Sequence, residues 1–217
     1  MVSAPTANAE DYELAEDEPT ATPKHGTSIQ SGWGAAETAL KRKGEGEYPN
    51  DFRFTEEPQL VRFLDDAPFA VYGQHWIERE GKKSFVCLGD DCPLCITAGD
   101  KPRNKFAFNV LVVSDEDPGV QILTAPPTFA RQLRAANDDE RRGPLTKFYW
   151  AISRQGVGPQ TTYTLERVRA TDLAEEWGMD SEPLDVLAAD AVKYDDSSVY
   201  LTPREELLKV ARSLVNS

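Results

Sequence analysis

The sequence predicts a mainly β fold with a few helices (α+β), built as a small antiparallel barrel or curled sheet. About six short segments alternate apolar and polar residues or are rich in β-branched and aromatic residues, which is typical of strands. Turn-forming residues separate these segments, and one helical pattern is inserted among them. The 217-residue chain is long enough for one good-sized domain with tails.

The N-terminal part of the chain divides into a tail and the start of a core domain. Residues 1–28 are acidic and nearly free of large apolar side chains, so we predict that they are disordered. A short helix is predicted at 31–44. A second helix is predicted at 56–66, where apolar residues recur at helical spacing after a plausible N-cap at Thr55.

The middle of the chain, up to residue 170, supplies the strands of the core domain 29–170. Strands are predicted at 69–77, 83–88, 105–113, 120–125, 146–154 and 161–169. Turn residues at 114–119 predict that the strands on either side form a hairpin. Between the fourth and fifth predicted strands, helical spacing of apolar residues predicts a helix at 128–138.

The region 171–217 is acidic and is predicted to follow the core as a separate segment. We expect residues 172–196 to be loose and 203–214 to form an amphipathic helix, with Thr202 as N-cap and Pro203 at its first position. Two interpretations of this region stay open. The helix packs on the barrel, or the acidic segment competes with nucleic acid for a basic cleft and, when released, contacts other proteins.

One histidine and all three cysteines have the spacing of a zinc knuckle. The pattern is His75-x11-Cys87-x4-Cys92-x2-Cys95, and Pro93 favours a sharp turn within the CPLC core. Four protein ligands complete a closed tetrahedral site, so the pattern predicts one structural zinc ion per chain. The alternative is a set of three buried, inert cysteines with an unrelated histidine.

The same residue types also occur in zinc deaminases, which require H-x-E followed by P-C-x-x-C. Here Ile77 stands where the glutamate is needed, and Asp91 stands where the proline is needed. A fourth protein ligand would also exclude the activated water. Because the sequence shows no Ser/His pair and no phosphate loop either, we expect a protein that is not an enzyme.

Aromatic and basic residues interleave through the middle of the chain, which is typical of surfaces that bind single-stranded DNA. The residues predicted to contact DNA are Tyr72, Trp76, Lys82, Lys83, Lys101, Arg103, Lys105, Phe106, Phe108, Arg131, Arg134, Tyr149 and Arg154. Half of the aromatic residues in a strand face the core, so individual members of this set have packing as an alternative role.

Charge and cysteine content limit the compartment and the partners. The formal net charge of −13 opposes nucleic-acid binding, but the acidic residues concentrate at the two ends and leave the middle mildly basic. Three cysteines cannot form an even set of disulfides, which favours a reducing compartment. We see no signal peptide and no span of membrane length, so a cytoplasmic location without membrane partners is predicted.

Taken in order, these motifs resemble a known family. His75, Cys87 and the CPLC core, followed by FAFNVLVVSDEDP at 106–118, VQIL and ARQLR, are similar to the zinc-containing single-stranded DNA-binding proteins of tailed bacteriophages, the T-even type in particular. The resemblance covers about 60 residues, continuously and in order, a stretch long enough to carry both a binding strand and the zinc knuckle.

The resemblance implies an OB-like barrel with an inserted zinc-knuckle subdomain at 75–95. It implies binding of single-stranded DNA without sequence preference in DNA replication, recombination and repair, in a bacterial cytoplasm. It further implies the four zinc ligands named above and a place for Phe106 in the DNA cleft. Replication or recombination proteins are expected partners of the acidic C-terminal region.

A competing functional hypothesis comes from the net charge. On this hypothesis the chain is a zinc-stabilised protein-interaction or regulatory module that binds DNA weakly or not at all. Titration with single-stranded DNA separates the two hypotheses, because base stacking and reversal by salt are expected only for the first.

Overall fold

The computed structural model describes residues 49–113, 118–141 and 143–216, and the predicted disordered tail 1–28 and helix 31–44 lie outside them. The strands are β1 (Gln59–Phe63), β2 (Ala70–Trp76), β3 (Ser84–Val86), β4 (Arg103–Val112), β5 (Gly119–Ala125), β6 (Tyr149–Gln155) and β7 (Thr162–Val168). The α-helices are α1 (Pro93–Ile96), α2 (Pro127–Asp138), α3 (Ala170–Glu176), α4 (Ser181–Ala189) and α5 (Arg204–Val215). Within these residues, no helix has both the length and the apolar character needed to cross a membrane.

All seven strands form one antiparallel sheet, in which β4 is the central member. One edge of β4 pairs with β2 along its first half and with β1 along its second half, while its other edge pairs with β5. β6 and β7 continue the sheet beyond β1, and β3 ends it beyond β2. The predicted mainly β, antiparallel class is therefore confirmed.

The sheet is open, so the predicted closed barrel is wrong. β3 and β7 lie at opposite ends of the strand order and do not pair with each other. β3 leads into the loop that carries the cysteines, and β7 leads into α3. Helices cover the two faces of the sheet, so the apolar residues are buried without the strands closing on themselves.

The hairpin of β4 and β5 confirms the prediction made from the turn chemistry at 114–119. Its register runs from Phe106 opposite Ala125 to Val112 opposite Gly119. Segment 50–52 lies along the far edge of β5, where Ile122 accepts a hydrogen bond from Phe52 and donates one to Asn50. The predicted strands at 69–77, 83–88, 146–154 and 161–169 correspond to β2, β3, β6 and β7.

One face of the sheet packs against α2, as the helical pattern at 128–138 predicts. Phe129 and Leu133 of α2 are fully buried in this layer. From the strands they meet Val61, Phe63, Phe108, Val110, Leu123, Trp150 and Ile152. Each such side chain contributes roughly 1.5–3 kcal/mol when it is removed from water, which makes this layer the principal core.

The opposite face of the sheet is covered by α3 and α4, although residues 172–196 were expected to be loose. Leu173 of α3 and Leu184 of α4 are buried against residues such as Leu60 and Leu111. The many acidic residues of this region lie on the exposed sides of the helices. The expectation was wrong because the acidic composition hid a small number of apolar residues that are sufficient for docking.

β1 corrects the helix predicted at 56–66. Leu60 belongs to the layer under α3 and α4, whereas Val61 and Phe63 belong to the layer under α2. A central strand with both faces covered is apolar at successive positions, and over a few residues this pattern resembles a helical stripe. Thr55 does not cap a helix; its hydroxyl donates to the carbonyl oxygen of Glu57 at 2.7 Å.

The predicted C-terminal helix is present as α5, one residue later than expected. Pro203 is its N-cap, while Thr202 is buried and its hydroxyl accepts a hydrogen bond from Lys82 Nζ at 2.8 Å. Its buried residues Leu207, Val210 and Ala211 pack on the cysteine-bearing loop region. Of the two interpretations left open, the structure shows packing of the helix.

The segment between α4 and α5 is hydrogen-bonded to the sheet through the buried side chain of Asn109. Asn109 Oδ1 accepts a hydrogen bond from the backbone N–H of Tyr194 at 2.9 Å, and its Nδ2 donates to the carbonyl oxygen of Tyr194 at 3.0 Å. Lys193 Nζ donates to the carbonyl oxygen of Leu64 at 2.7 Å. These contacts hold the C-terminal region in place on the sheet.

Candidate metal centre and nucleic-acid interface

The four predicted metal ligands converge at the β2–β3 end of the sheet. His75 lies on β2, Cys87 directly follows β3, and Cys92 and Cys95 lie at the N-cap and inside α1. The backbone N–H of Cys87 donates to the carbonyl oxygen of Gly73 at 2.8 Å. A Cβ at Gly73 would lie 3.2 Å from Cβ of Cys87, so glycine permits this close approach.

The loop between Cys87 and Cys92 turns through a residue that favours glycine. Gly89 has a φ of 76°, in the left-handed region. Its carbonyl oxygen accepts a hydrogen bond from the backbone N–H of Cys92 at 3.1 Å. Pro93 then starts α1, as its fixed φ favours, and the short helix brings Cys95 back towards Cys92.

The donor atoms lie close enough together to share one metal ion, and three of their distances are near those of a tetrahedral zinc site. All four lie within 4.8 Å of one another. His75 Nε2 is 3.4 Å from Cys92 Sγ and 3.6 Å from Cys95 Sγ, and Cys87 Sγ is 3.6 Å from Cys95 Sγ. A tetrahedral zinc ion separates such ligands by about 3.5–3.8 Å, whereas a disulfide would hold two sulfurs about 2 Å apart.

The environment of the thiols differs between neighbouring ligands. Burial raises the pKa of Cys92, but backbone N–H groups, led by that of Leu88, outweigh it and lower the value to about 7. Burial, together with the neighbouring Cys87 and Cys92, raises the pKa of Cys95 to about 12. Neighbouring thiolates repel each other because both are negatively charged. A divalent cation bound among the sulfurs reduces this repulsion, as zinc does in a Cys3His site.

Asp100 is a further member of this site that the sequence analysis missed. Its Oδ2 lies 2.6 Å from Nδ1 of His75, whose side chain is wholly buried. Metal-bound histidines commonly donate their second ring N–H to a carboxylate. An acidic residue five positions after the last cysteine is too common in this chain to be singled out by spacing.

Four of the predicted DNA-contacting residues line one groove. The α2–β4 groove has a volume of about 580 Å³ and lies between α2 and the first half of β4. Phe106 and Phe108 form part of its floor, and Arg131 and Arg134 come from α2. Phe106 is half-buried and Phe108 is 4% exposed. The groove also contains residues that sequence reasoning did not select, namely Asp66, Ala67, Pro68, Asn104, Pro127, Ala130, Asn137, Asp138 and Leu145.

A second group of predicted residues lies on the other face of the sheet. In the antiparallel register Tyr72 is opposite Lys105, and Gln74 is opposite Arg103. Because side chains two apart share a face, Trp76 lies on this face as well, and it is 61% exposed. Burial, followed by the neighbouring Arg103, lowers the pKa of Lys105. The predicted interface is therefore divided between the two faces.

The other predicted residues have separate positions. Lys82 contacts the ring of Tyr200 at 4.5 Å, Lys83 pairs with Glu78, and Lys101 is exposed just before β4. Arg154 is half-buried on β6, opposite Tyr163.

Tyr149 belongs neither to the α2–β4 groove nor to the group around Trp76, and its ring is enclosed. It is 4% exposed, and its hydroxyl donates to Asp185 at 2.8 Å. It does not reach a surface on which a base could stack. Its aromatic character is explained by packing under α3 and α4.

Compared with protein-family models, curated proteins and solved structures, the chain gives no match.

Proposed function

We propose that this protein binds single-stranded DNA without sequence preference and supports DNA replication, recombination and repair. In this proposal a structural zinc ion is held by His75, Cys87, Cys92 and Cys95. The activity is binding rather than catalysis, because four protein donors occupy all positions of a tetrahedral zinc ion. The motifs that occur in the same order in the phage single-stranded DNA-binding proteins support the same proposal. Their resemblance also supports an OB-like arrangement of the sheet and a bacterial cytoplasmic location.

The observation that carries the proposal is the α2–β4 groove. It combines the half-buried ring of Phe106 with guanidinium groups at Arg131 and Arg134, over a volume that accommodates a nucleotide base. Phe108 also lines the groove, but it is 4% exposed and packs in the principal core. Stacking on aromatic rings and contact between cations and phosphates are the two features by which non-specific proteins hold single strands. A duplex hides its base faces, so a groove of this kind favours the single strand.

Acidic residues in the same groove favour a second candidate function. Asp66 and Asp138 also line it, and Asp138 pairs with Arg134 at 3.4 Å. Together with the net charge of −13, they fit a zinc-stabilised protein-interaction or regulatory module that binds DNA weakly or not at all. Under either function, we propose that protein partners contact the acidic C-terminal region, where α4 exposes Val186 and Leu187.

The test compares labelled oligo(dT), mixed-sequence single strands and duplex of equal length at several salt concentrations. We expect similar affinity for the two single strands, weaker binding of the duplex and a linear fall of log affinity with log salt. Intrinsic fluorescence provides a second measurement, because Trp76 is strongly exposed. Binding that prefers duplex, or that ignores salt, would support the interaction module instead.

A further inference from the structure

His75 has one ring nitrogen towards the cysteines and the other towards a carboxylate. Nε2 faces Cys92 and Cys95, while Nδ1 is 2.6 Å from Oδ2 of Asp100. We infer that Asp100 is a positioning residue that orients the ring of His75 for metal binding. We infer that it also holds the basic segment 101–105 in place against the zinc-bound site. The second half of this inference rests on the proposed DNA-binding function.

The hydrogen bond selects one tautomer of the histidine. A carboxylate can only accept, so Nδ1 carries the proton and the lone pair of Nε2 is left for the metal. The ring is wholly buried, so water does not compete for Nδ1. Without Asp100, the buried Nδ1–H would lose its partner, and the ring could turn about its side-chain bonds.

Asp100 is itself held by the knuckle that binds the metal. Its backbone N–H donates to the carbonyl oxygen of Leu94 at 3.0 Å, and Leu94 is a fully buried residue of α1. Gly99, with a φ of 67°, provides the turn that returns the chain to this position. The carboxylate is therefore placed by the same short helix that carries Cys95.

The residues after Asp100 are tied to the same place. Pro102 lies against Gly73, where an added Cβ would meet Cβ of Pro102 at 3.1 Å and Cβ of Cys87 at 3.2 Å. Asn104 then pairs with Gly73 in the sheet. The basic segment 101–105 thus starts at the zinc site, enters β4 at Arg103 and ends directly before Phe106. An ordered zinc site consequently limits the positions that Lys101 and Arg103 can take.

The zinc arm of the test uses the full chain with Asp100→Ala, Asp100→Asn and the control Asp90→Ala, which removes an exposed acid from the loop between Cys87 and Cys92, on the other side of α1. Zinc affinity is measured by competition with a chromophoric chelator. We expect Asp100→Ala to weaken zinc about 10–100-fold and the control to have little effect. Asparagine keeps an acceptor oxygen, so Asp100→Asn should recover most of the loss. Equal affinity of Asp100→Ala and the control, or no recovery in Asp100→Asn, would overturn positioning by this hydrogen bond.

A spectroscopic measurement separates positioning from a general loss of stability. In the zinc-loaded wild type, the Nδ1 proton of His75 should give a slowly exchanging NMR resonance, because it is buried and bonded to Asp100. Asp100→Asn should retain this resonance and Asp100→Ala should lose it, while the backbone resonances of β6 stay unchanged. Retention of the resonance in Asp100→Ala contradicts the assignment.

The DNA-binding part of the test depends on whether the affinity for DNA rises or falls. Removal of a negative charge beside Lys101 and Arg103 would, through electrostatics alone, strengthen DNA binding. Loss of positioning should weaken it, and at saturating zinc we expect Asp100→Ala to bind oligo(dT) about 3-fold or more weakly, with no such loss in Asp90→Ala. Unchanged or stronger binding overturns the link to the basic segment. Failure of the wild type to bind single strands rejects the proposed function and leaves the zinc arm intact.

Discussion

Among individual residues, Cys92 is the candidate metal ligand whose loss we expect to affect the fold most. It is fully buried, caps α1 and lies 3.4 Å from His75 Nε2. We expect Cys92→Ser to lower zinc content well below one ion per chain. The melting temperature should fall by about 10 °C, the shift that a loss of roughly 3–5 kcal/mol gives in a domain of this size.

The matched control for this variant is Ile96→Ala, which alters the same short helix at a side chain that is 64% exposed. It should leave zinc content and melting temperature near those of the wild type. Thermal unfolding and elemental analysis of both variants are sufficient. A Cys92→Ser protein with wild-type melting would show that the cysteines do not stabilise the fold through a metal.

Phe106 is the residue on which the proposed DNA groove depends most. Its ring is half-buried in the α2–β4 groove, so one part supports the fold while the other can meet a base. Phe106→Ala should weaken oligo(dT) binding by about 1–3 kcal/mol, as the loss of one stacking ring does. Fluorescence anisotropy with a labelled oligonucleotide measures the change.

Phe148→Ala is the control, because this ring is also half-buried on the principal core but does not line the groove. It should lower stability without a comparable effect on affinity. If Trp76→Ala weakens binding and Phe106→Ala does not, the DNA path lies on the opposite face, beside Arg103 and Lys105.

The four residues of the His/Cys cluster could be predicted residue by residue, while the hydrogen bond to Asp100 that supports it could not. Cysteine and histidine are rare in this chain, so their spacing carries information. Asp100 belongs to a residue type that is abundant here, and only the folded loop distinguishes it from Asp90 and Asp91. The sequence also could not predict which aromatic residues are exposed, because the alternation along β4 does not say which face of the strand is covered.

Among the elements, α5 was correctly predicted as a helix, but the sequence did not show what it packs against. Its amphipathic pattern gave its position to within one residue. Its partner is the cysteine-bearing knuckle, with Phe85 and Leu94 in the same buried cluster as Leu207. That contact links α5 to the candidate metal site across more than a hundred residues, a separation that local pattern does not reveal.

Leu207→Ala tests the contact between α5 and the knuckle. The side chain is fully buried, so its truncation should reduce the free energy of unfolding by about 2–5 kcal/mol and leave a cavity beside α1. Leu201→Ala is the control, since Leu201 is 58% exposed just before the helix and should change stability by less than about 0.5 kcal/mol. Urea unfolding measures both; equal effects would mean that α5 is not anchored through Leu207.

β1 and the pair α3–α4 show why two of the wrong predictions arose, the helix at 56–66 and the loose segment 172–196. Both concern the face of the sheet opposite α2. The sequence gives no direct indication that this face is covered, because the covering residues, Leu173 and Leu184 with Trp177 and Met179, are interspersed with acidic residues. Once that cover is known, successive buried positions at Leu60 and Val61 are what a central strand requires.

At the scale of the molecule, the described residues form three apolar clusters, and the candidate metal site belongs to the third. The layers under α2 and under α3–α4 share the strands β1, β4 and β6. The third cluster joins Ile77, Phe85 and Leu94 to α5. Zinc binding should therefore stabilise the third cluster directly and the sheet only through β2 and β3.

Removal of zinc tests this organisation. A chelator should increase amide hydrogen exchange at 77–98 and 204–215 by at least about 10-fold, since a closed Cys3His site contributes folding energy to the segment that it holds. Amide exchange in β1 and β6 should change little. The hydrogen bonds of these strands lie between the two apolar layers, which contain none of the four candidate metal ligands. Cys92→Ser without chelator should reproduce the pattern, and adding chelator to that variant should change nothing further. A uniform increase over β1, β6 and the knuckle would show instead that the ion supports the entire sheet, and unchanged exchange at 77–98 would show that the four side chains hold their geometry without it.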